Sequence, residues 1–143
     1  MYYIGIDISK FKHDCAVIDD FGEIVTPSWS FTNDSEGFSQ LKLLLDSLDA
    51  EARIGLESTG HYGMNLKLFL ESNNFSFMEF NPLLINRFVK SKSLRKTKSD
   101  SIDCMMIAHY LMTVEYKPYP ALLYHTEKLK SLTRFRDSLI TSF

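Results

Sequence analysis

Four acidic side chains stand in surroundings that are otherwise apolar or basic. Asp7 lies in the run Tyr2-Tyr3-Ile4-Gly5-Ile6-Asp7-Ile8, and Glu57 ends Ile54-Gly55-Leu56-Glu57. Asp100 and Asp103 follow directly on a basic stretch. A carboxylate in a buried strand loses hydration and needs an offset. A divalent cation is the usual one, and all-oxygen carboxylate sites select Mg²⁺ or Mn²⁺. Two such ions held about 4 Å apart activate a water or hydroxyl and stabilise the leaving oxygen of a phosphodiester. The expectation is that Asp7, Glu57, Asp100 and Asp103 form one metal-binding catalytic site that acts on nucleic acid.

Each acid also has a plainer reading. Asp7 could be a strand-end residue bonded to a nearby loop. Glu57 could serve only the helix that follows Ser58 and Thr59. Asp100 is a good helix cap, which would place Asp103 near the first turn, where acids complement the helix dipole. Capping and metal binding do not exclude each other.

The basic stretch holds Arg87, Lys90, Lys92, Arg95, Lys96 and Lys98, with no acid among them. Each can neutralise a phosphate and add to salt-dependent affinity. Ser91, Ser93, Thr97 and Ser99 add hydroxyl donors. Lys10, just past Asp7, joins these as a candidate nucleic-acid contact. The alternative is a solvated loop. The charge distribution favours contact: residues 1–84 carry 5 Lys+Arg against 13 Asp+Glu, whereas residues 85–143 carry 11 against 5. A net charge of −2 conceals that asymmetry.

The elements that must position these groups follow from periodicity. Strands are expected over 2–8, 13–19 and 23–31, a meander with a turn at Asp20-Phe21-Gly22. Asn33 or Asp34 caps a helix over 35–49, where Phe38, Leu41, Leu44, Leu45 and Leu48 recur at helical spacing. A short strand over 52–57 leads into a second helix from Tyr62 to Ser72, and a fifth strand runs from Phe75 to Phe80. Residues 83–98 begin as a helix and turn basic, and 100–113 form a strong helix on which Asp100 and Asp103 share a face. The order βββαβαβ, with right-handed crossovers, predicts an α/β ribonuclease-H-like fold: a mixed five-stranded sheet flanked by helices, with strands one and four side by side. Alternation then puts Tyr3, Gly5 and Asp7 on one face and Ile4, Ile6 and Ile8 on the other. Leu129, Leu132, Leu139 and Phe143, with Arg136 at the remaining seam position, have coiled-coil spacing. The division expected is a catalytic domain over 1–121 and the start of a dimerisation helix over 122–143.

Composition sets the remaining bounds. A chain of 143 residues with 45% hydrophobic and 24% charged residues can build one globular core. No apolar run is long enough to span a membrane, and no leader is evident, so a cytoplasmic location is expected. Cys15 and Cys104 lack ligand-like spacing and read as reduced core thiols. Phe11, Phe31, Phe69, Phe75, Phe77 and Phe80 are expected in the core. His13, His61, His109 and His125 are scattered, and His61 alone is near enough to Glu57 to suggest substrate contact. No P-loop appears.

Gly5-Ile6-Asp7-Ile8-Ser9-Lys10, Leu56-Glu57-Ser58-Thr59-Gly60, Asn81-Pro82 and Lys98-Ser99-Asp100-Ser101-Ile102-Asp103-Cys104 occur in that order. Together they resemble the DEDD-type insertion-sequence transposases, whose amino-terminal domain is similar to the junction resolvase RuvC and which include the pilin-gene inverting recombinases. The resemblance spans essentially the whole chain. It implies that the four acids hold divalent metal for cleaving and rejoining the DNA of a mobile element, in oligomers built partly through a coiled coil. Some members use a guide RNA, so RNA joins DNA as an expected partner. Ser99 and Cys104 replace the family's usual Thr and Ala. Family members continue into a second domain with a nucleophilic serine, a role no residue here can be assigned. The alternatives are a stand-alone nuclease or resolvase, a non-catalytic nucleic-acid-binding or dimerisation fragment, and an actin-like ATPase. The last is disfavoured because Ser9-Lys10 stands where its glycine and hydroxyl would be and no second phosphate motif is present.

Overall fold

A computed structural model describes residues 1–57, 60–91 and 103–118. Strands β1 (Tyr2–Asp7), β2 (Lys12–Asp19) and β3 (Ile24–Thr32) form an antiparallel meander. Helix α1 (Ser35–Ser47) leads to β4 (Ala52–Glu57), and a 3₁₀ turn over Gly60–Gly63 precedes α2 (Met64–Ser72). Strand β5 (Met78–Phe80), α3 (Pro82–Ser91) and α4 (Cys104–Thr113) complete the described elements. The sheet order is β3-β2-β1-β4-β5. β1 pairs parallel with β4, and β4 with β5, so strands one and four are neighbours as expected.

Local chemistry explains these boundaries. Asp34 caps α1 by accepting from the Gly37 amide at 2.9 Å, the cap preference of a short acidic side chain. At the β2–β3 turn, Gly22 takes φ +78°, and the Asp19 carboxylate accepts from the Phe21 and Glu23 amides. α2 starts at Met64 rather than Tyr62, because residues 60–63 wind as the tighter 3₁₀ turn. β5 is three residues long, shorter than the strand expected from Phe75.

Alternation sorts the sheet into two faces, and both are covered. Ile4, Ile6, Cys15, Val17, Ile54 and Leu56 pack with Phe38, Leu41 and Leu45 of α1 and Leu66 and Leu70 of α2. On the other face Phe80, Ile85, Val89, Met106, Ile107 and Leu111 form a second cluster with Tyr3 and Met78 against it. Cys15 and Cys104 are buried free thiols. Phe31, Phe77 and Phe80 are core residues, and Phe69 and Phe75 pack against the core. Phe11 is a correction: it is 76% exposed, because it falls in the β1–β2 loop and not in either strand.

α4 crosses β1 at very short range. A Cβ on Gly5 would lie far inside van der Waals contact distance of the Cys104 carbonyl oxygen and 2.5 Å from the Ala108 amide nitrogen. Gly5 pairs with Gly55, so two adjacent positions without side chains form a shallow trough for the helix. Among the described residues no helix is long and apolar enough to cross a membrane. The expected coiled-coil segment, residues 122–143, lies outside the described residues.

Gly5→Ala should therefore destabilise the fold by about 3 kcal/mol or more, the upper end of overpacking effects, since the obstructing atoms are backbone and cannot rotate away. Urea unfolding measures this; a change below about 1 kcal/mol would mean that α4 does not rest on β1.

Candidate functional site

The register of β1 and β4 aligns Gly5 with Gly55 and Ile6 with Leu56. The next step along these parallel strands sets Asp7 beside Glu57, on the face that carries α4. Both are half-buried at the strands' carboxyl ends. β2 adds an acid that sequence reasoning missed: Asp14 is the register partner of Asp7, and the Ser30 hydroxyl donates to its carboxylate. The signal was there as an acid in the apolar alternation of the second strand, but only the hairpin register shows that it meets Asp7.

Burial, with Glu57, Asp14 and Asp103 adding repulsion in that order, pushes Asp7 up to about 6. Burial also raises Glu57. Among the described residues no cation contributes to either shift. Desolvation plus like charges is a pattern found at functional sites.

The helix expected over 100–113 begins at Cys104, and Asp103 is its N-cap, accepting from the Met106 amide at 2.9 Å. This corrects the expectation that Asp100 and Asp103 share a helical face: Asp103 precedes the helix, and Asp100 lies outside the described residues. Asp103 is near enough to act on Asp7 even while its carboxylate serves the helix end. Among the described residues no group of three His, Cys, Asp or Glu side chains is arranged to hold a metal ion. Asp7 and Glu57 are thus brought together, with Asp14 opposite and Asp103 at the margin.

Of the basic candidates, Arg87 and Lys90 are exposed on α3, whose inner face buries Ile85 and Val89. Lys92, Arg95, Lys96 and Lys98 lie outside the described residues. Lys10 is exposed in the β1–β2 loop. His61 is exposed beside Tyr62, their rings 4.5 Å apart. His13 is fully buried and accepts from the Ser9 amide through Nδ1 at 3.2 Å; burial pushes its imidazole down. A cavity of about 350 Å³ opens at the end of β5, lined among the described residues by Glu79, Phe80, Asn81 and Pro82. Phe80 is the register partner of Glu57.

The Asp7 shift has a consequence for stability. Between its unfolded value of 3.8 and its folded value of about 6, the folded chain keeps a proton that the unfolded chain has released. Raising pH across that window therefore lowers stability, and the loss is complete above it. Asp7→Asn should stabilise the metal-free chain at pH 7 by about 1–2 kcal/mol, allowing for screening of a half-exposed group. The gain should vanish below pH 4. Mg²⁺ or Mn²⁺ should raise the Tm of the wild type more than that of the variant, and less so as pH falls through 6. Thermal melts across pH check this; an Asn variant no more stable than wild type at pH 7 would remove the repulsion argument.

Comparison with known proteins gives a consistent result. Residues 4–143 match the IS110-type DEDD transposase family, described as transposase. The pilin gene-inverting protein of Moraxella bovis is 32% identical over 111 residues, covering 76% of this chain and 33% of that protein. Its counterpart in Moraxella lacunata matches to the same extent. A Streptomyces coelicolor protein named as a transposase of the IS117 mini-circle is 28% identical over 125 residues, covering 83% of this chain and 29% of that protein. The chain thus spans about a third of the length of these curated relatives. With a family match over nearly its full extent, the chain belongs to the IS110-type DEDD transposases.

Proposed function

We propose that this chain is the ribonuclease-H-like catalytic domain of a transposase or recombinase that cleaves and rejoins the DNA strands of a mobile element. The observation that carries the reading is the register that sets Asp7 beside Glu57 at the carboxyl ends of parallel strands, where burial and then the neighbouring carboxylates push Asp7 up to about 6. Ligand sites in open α/β sheets favour this end of the strands.

The donor set fits a hard divalent cation. It is all oxygen, half-buried, and more negative than its surroundings offset. Asp7 and Glu57 would hold the ion or ions, and Asp103 and Asp100 would complete the set. When bound, Mg²⁺ or Mn²⁺ supplies a nucleophilic oxygen and neutralises the leaving oxygen. The chain's own residues do the positioning. The sheet fixes Asp7 and Glu57 through backbone pairing, Ser30 orients Asp14, and α4 delivers Asp103. For Asp103 to become a ligand, one oxygen stays on the Met106 amide and the other turns outward. Arg87, Lys90 and the basic residues from Lys92 to Lys98 would hold the phosphate backbone of DNA, or of a guide RNA paired with it. The division into a catalytic part over 1–121 and a dimerisation helix from 122, giving homo-oligomers, belongs to this reading. So does the assignment of the rejoining serine to a second domain, which accords with the chain's coverage of a third of its relatives.

In the full-length protein, Asp7→Asn should abolish metal-dependent cleavage and recombination, a loss well beyond the roughly 100-fold that removing a supporting second-layer group costs. Asp103→Asn should lower activity strongly without unfolding the chain. Cleavage of branched DNA at increasing Mg²⁺ or Mn²⁺ gives the measurement. Unchanged activity in Asp7→Asn would reject the catalytic assignment, and binding that persists with no metal-dependent cleavage in the wild type would favour a non-catalytic module.

A further inference from the structure

Phe11 and Phe21 are the phenylalanines most exposed among the described residues; Phe21 is at the β2–β3 turn, the other end of the strands from the acids, whereas Phe11 is on the loop that follows Asp7. Phe11 is 76% exposed, so at least one face of the ring is open to water. An exposed phenyl ring on a loose loop would need no explanation. This loop is not loose. The Ser9 amide donates to His13 Nδ1 at 3.2 Å, and the Ser9 hydroxyl donates to the Lys12 carbonyl. The Asn33 amide donates to the Phe11 carbonyl at 2.9 Å, and Asn33 Nδ2 donates to the Lys10 carbonyl at 3.1 Å. The backbone therefore holds Phe11 outward at a fixed place, with its ordering entropy already lost.

That place is defined by topology. β1 and β4 are parallel neighbours, so the loops leaving them start at the same edge, directly after Asp7 and Glu57. Lys10 and Phe11 are on the first loop, and Tyr62, 38% exposed, is on the second. Asn33 joins the two, since its Nδ2 also donates to the Tyr62 carbonyl at 3.3 Å. Lys10 adds charge: its Nζ lies over one face of the Phe11 ring, 5.1 Å from the centroid, which leaves the opposite face for a base. An aromatic ring with a cation on one face and the other face free suits one class of partner well, a nucleobase with its attached phosphate. Bases inside a duplex are already stacked, so a flat ring held outward has most to offer to one that is not.

We propose that Phe11, with Lys10 beside it, is a stacking platform for an unpaired nucleobase in the strand whose phosphate lies at Asp7 and Glu57. The inference rests on the nucleic-acid reading above. The platform selects nucleic acid with a locally unpaired base and fixes which phosphate reaches the acids. Stacking tolerates any base, so it adds structural selectivity rather than sequence selectivity.

The test measures binding of fluorescein-labelled single-stranded and duplex oligonucleotides by anisotropy, without divalent ions, over a range of NaCl. Phe11→Ala and Phe11→Leu should each weaken single-strand binding by roughly tenfold, with duplex binding and the salt slope unchanged. Phe11→Trp should restore affinity, and its added indole emission should be quenched by the bound strand. Lys10→Gln should reduce the salt slope by about 1. Exposure of the ring makes these variants compatible with the fold, which a melting curve verifies. Leucine substituting fully for phenylalanine would overturn the proposal, as would equal losses on duplex and single strand. A change in self-association by sedimentation with oligonucleotide binding intact would assign the ring to a second copy of the chain and likewise overturn it. In both cases the reading on which it rests survives. If the wild type binds no oligonucleotide in a salt-dependent way, both fall.

Discussion

The backbone of α4 occupies the space that a side chain at position 5 would need. Much of the described structure depends on that contact. It sets the separation between helix and sheet, brings the Asp103 cap to the end of β1, and lets Ile107 and Leu111 close the second core cluster. Backbone cannot be compressed or rotated aside as a side chain can. The helix therefore has one depth at which it can sit, and Gly5, paired with Gly55, defines it. A residue that reads as a weakness in a strand is what allows the strand next to the acids to be covered.

The second constraint is electrostatic and works against the fold. Asp7, Asp14 and Glu57 meet because strand register leaves them no alternative. The antiparallel partner brings Asp14 and the parallel partner brings Glu57. Packing holds the strands together while burial and mutual repulsion both disfavour the charged carboxylates, and Asp7 is raised for both reasons. Sites that bind cations commonly carry this tension, since a fold that neutralised the acids internally would compete with the ion. Ser30 hydrogen-bonded to Asp14 and the Met106 amide bonded to Asp103 soften the repulsion without supplying positive charge.

What could be read in the sequence followed from strict periodicity. The two faces of β1, the parallel neighbours β1 and β4, and the meeting of Asp7 with Glu57 all come from alternation and the order of elements. The points that differed were decided by contacts between distant segments. Asp100 and Asp103 are both good caps, and no local signal says which one α4 uses. Tyr62 has helical spacing, yet a tighter turn claims it first. Phe11 belongs to a residue type that usually fills cores, but the hairpin spends residues 8–11 on its loop, which leaves the ring outside. The same loop length fixes the pairing of Asp7 with Asp14, so the geometry of one hairpin accounts for both the missed acid and the misplaced aromatic.

These two outcomes belong together physically. A hairpin loop that only reversed the chain would be satisfied by turn chemistry and polar residues. This one instead ties its backbone to His13, Lys12 and Asn33 and turns a phenyl ring and an ammonium outward at the edge where the acids converge. In the proposed metal site, strands would hold the charge that must not move, because a small error in carboxylate position is expensive for an ion with strict geometry. Loops would carry the groups that meet a larger and more variable partner. Asn33, reaching the loops after β1 and β4 at once, couples the two layers, so the spacing of the outer groups is set by the same strands that set the spacing of the acids.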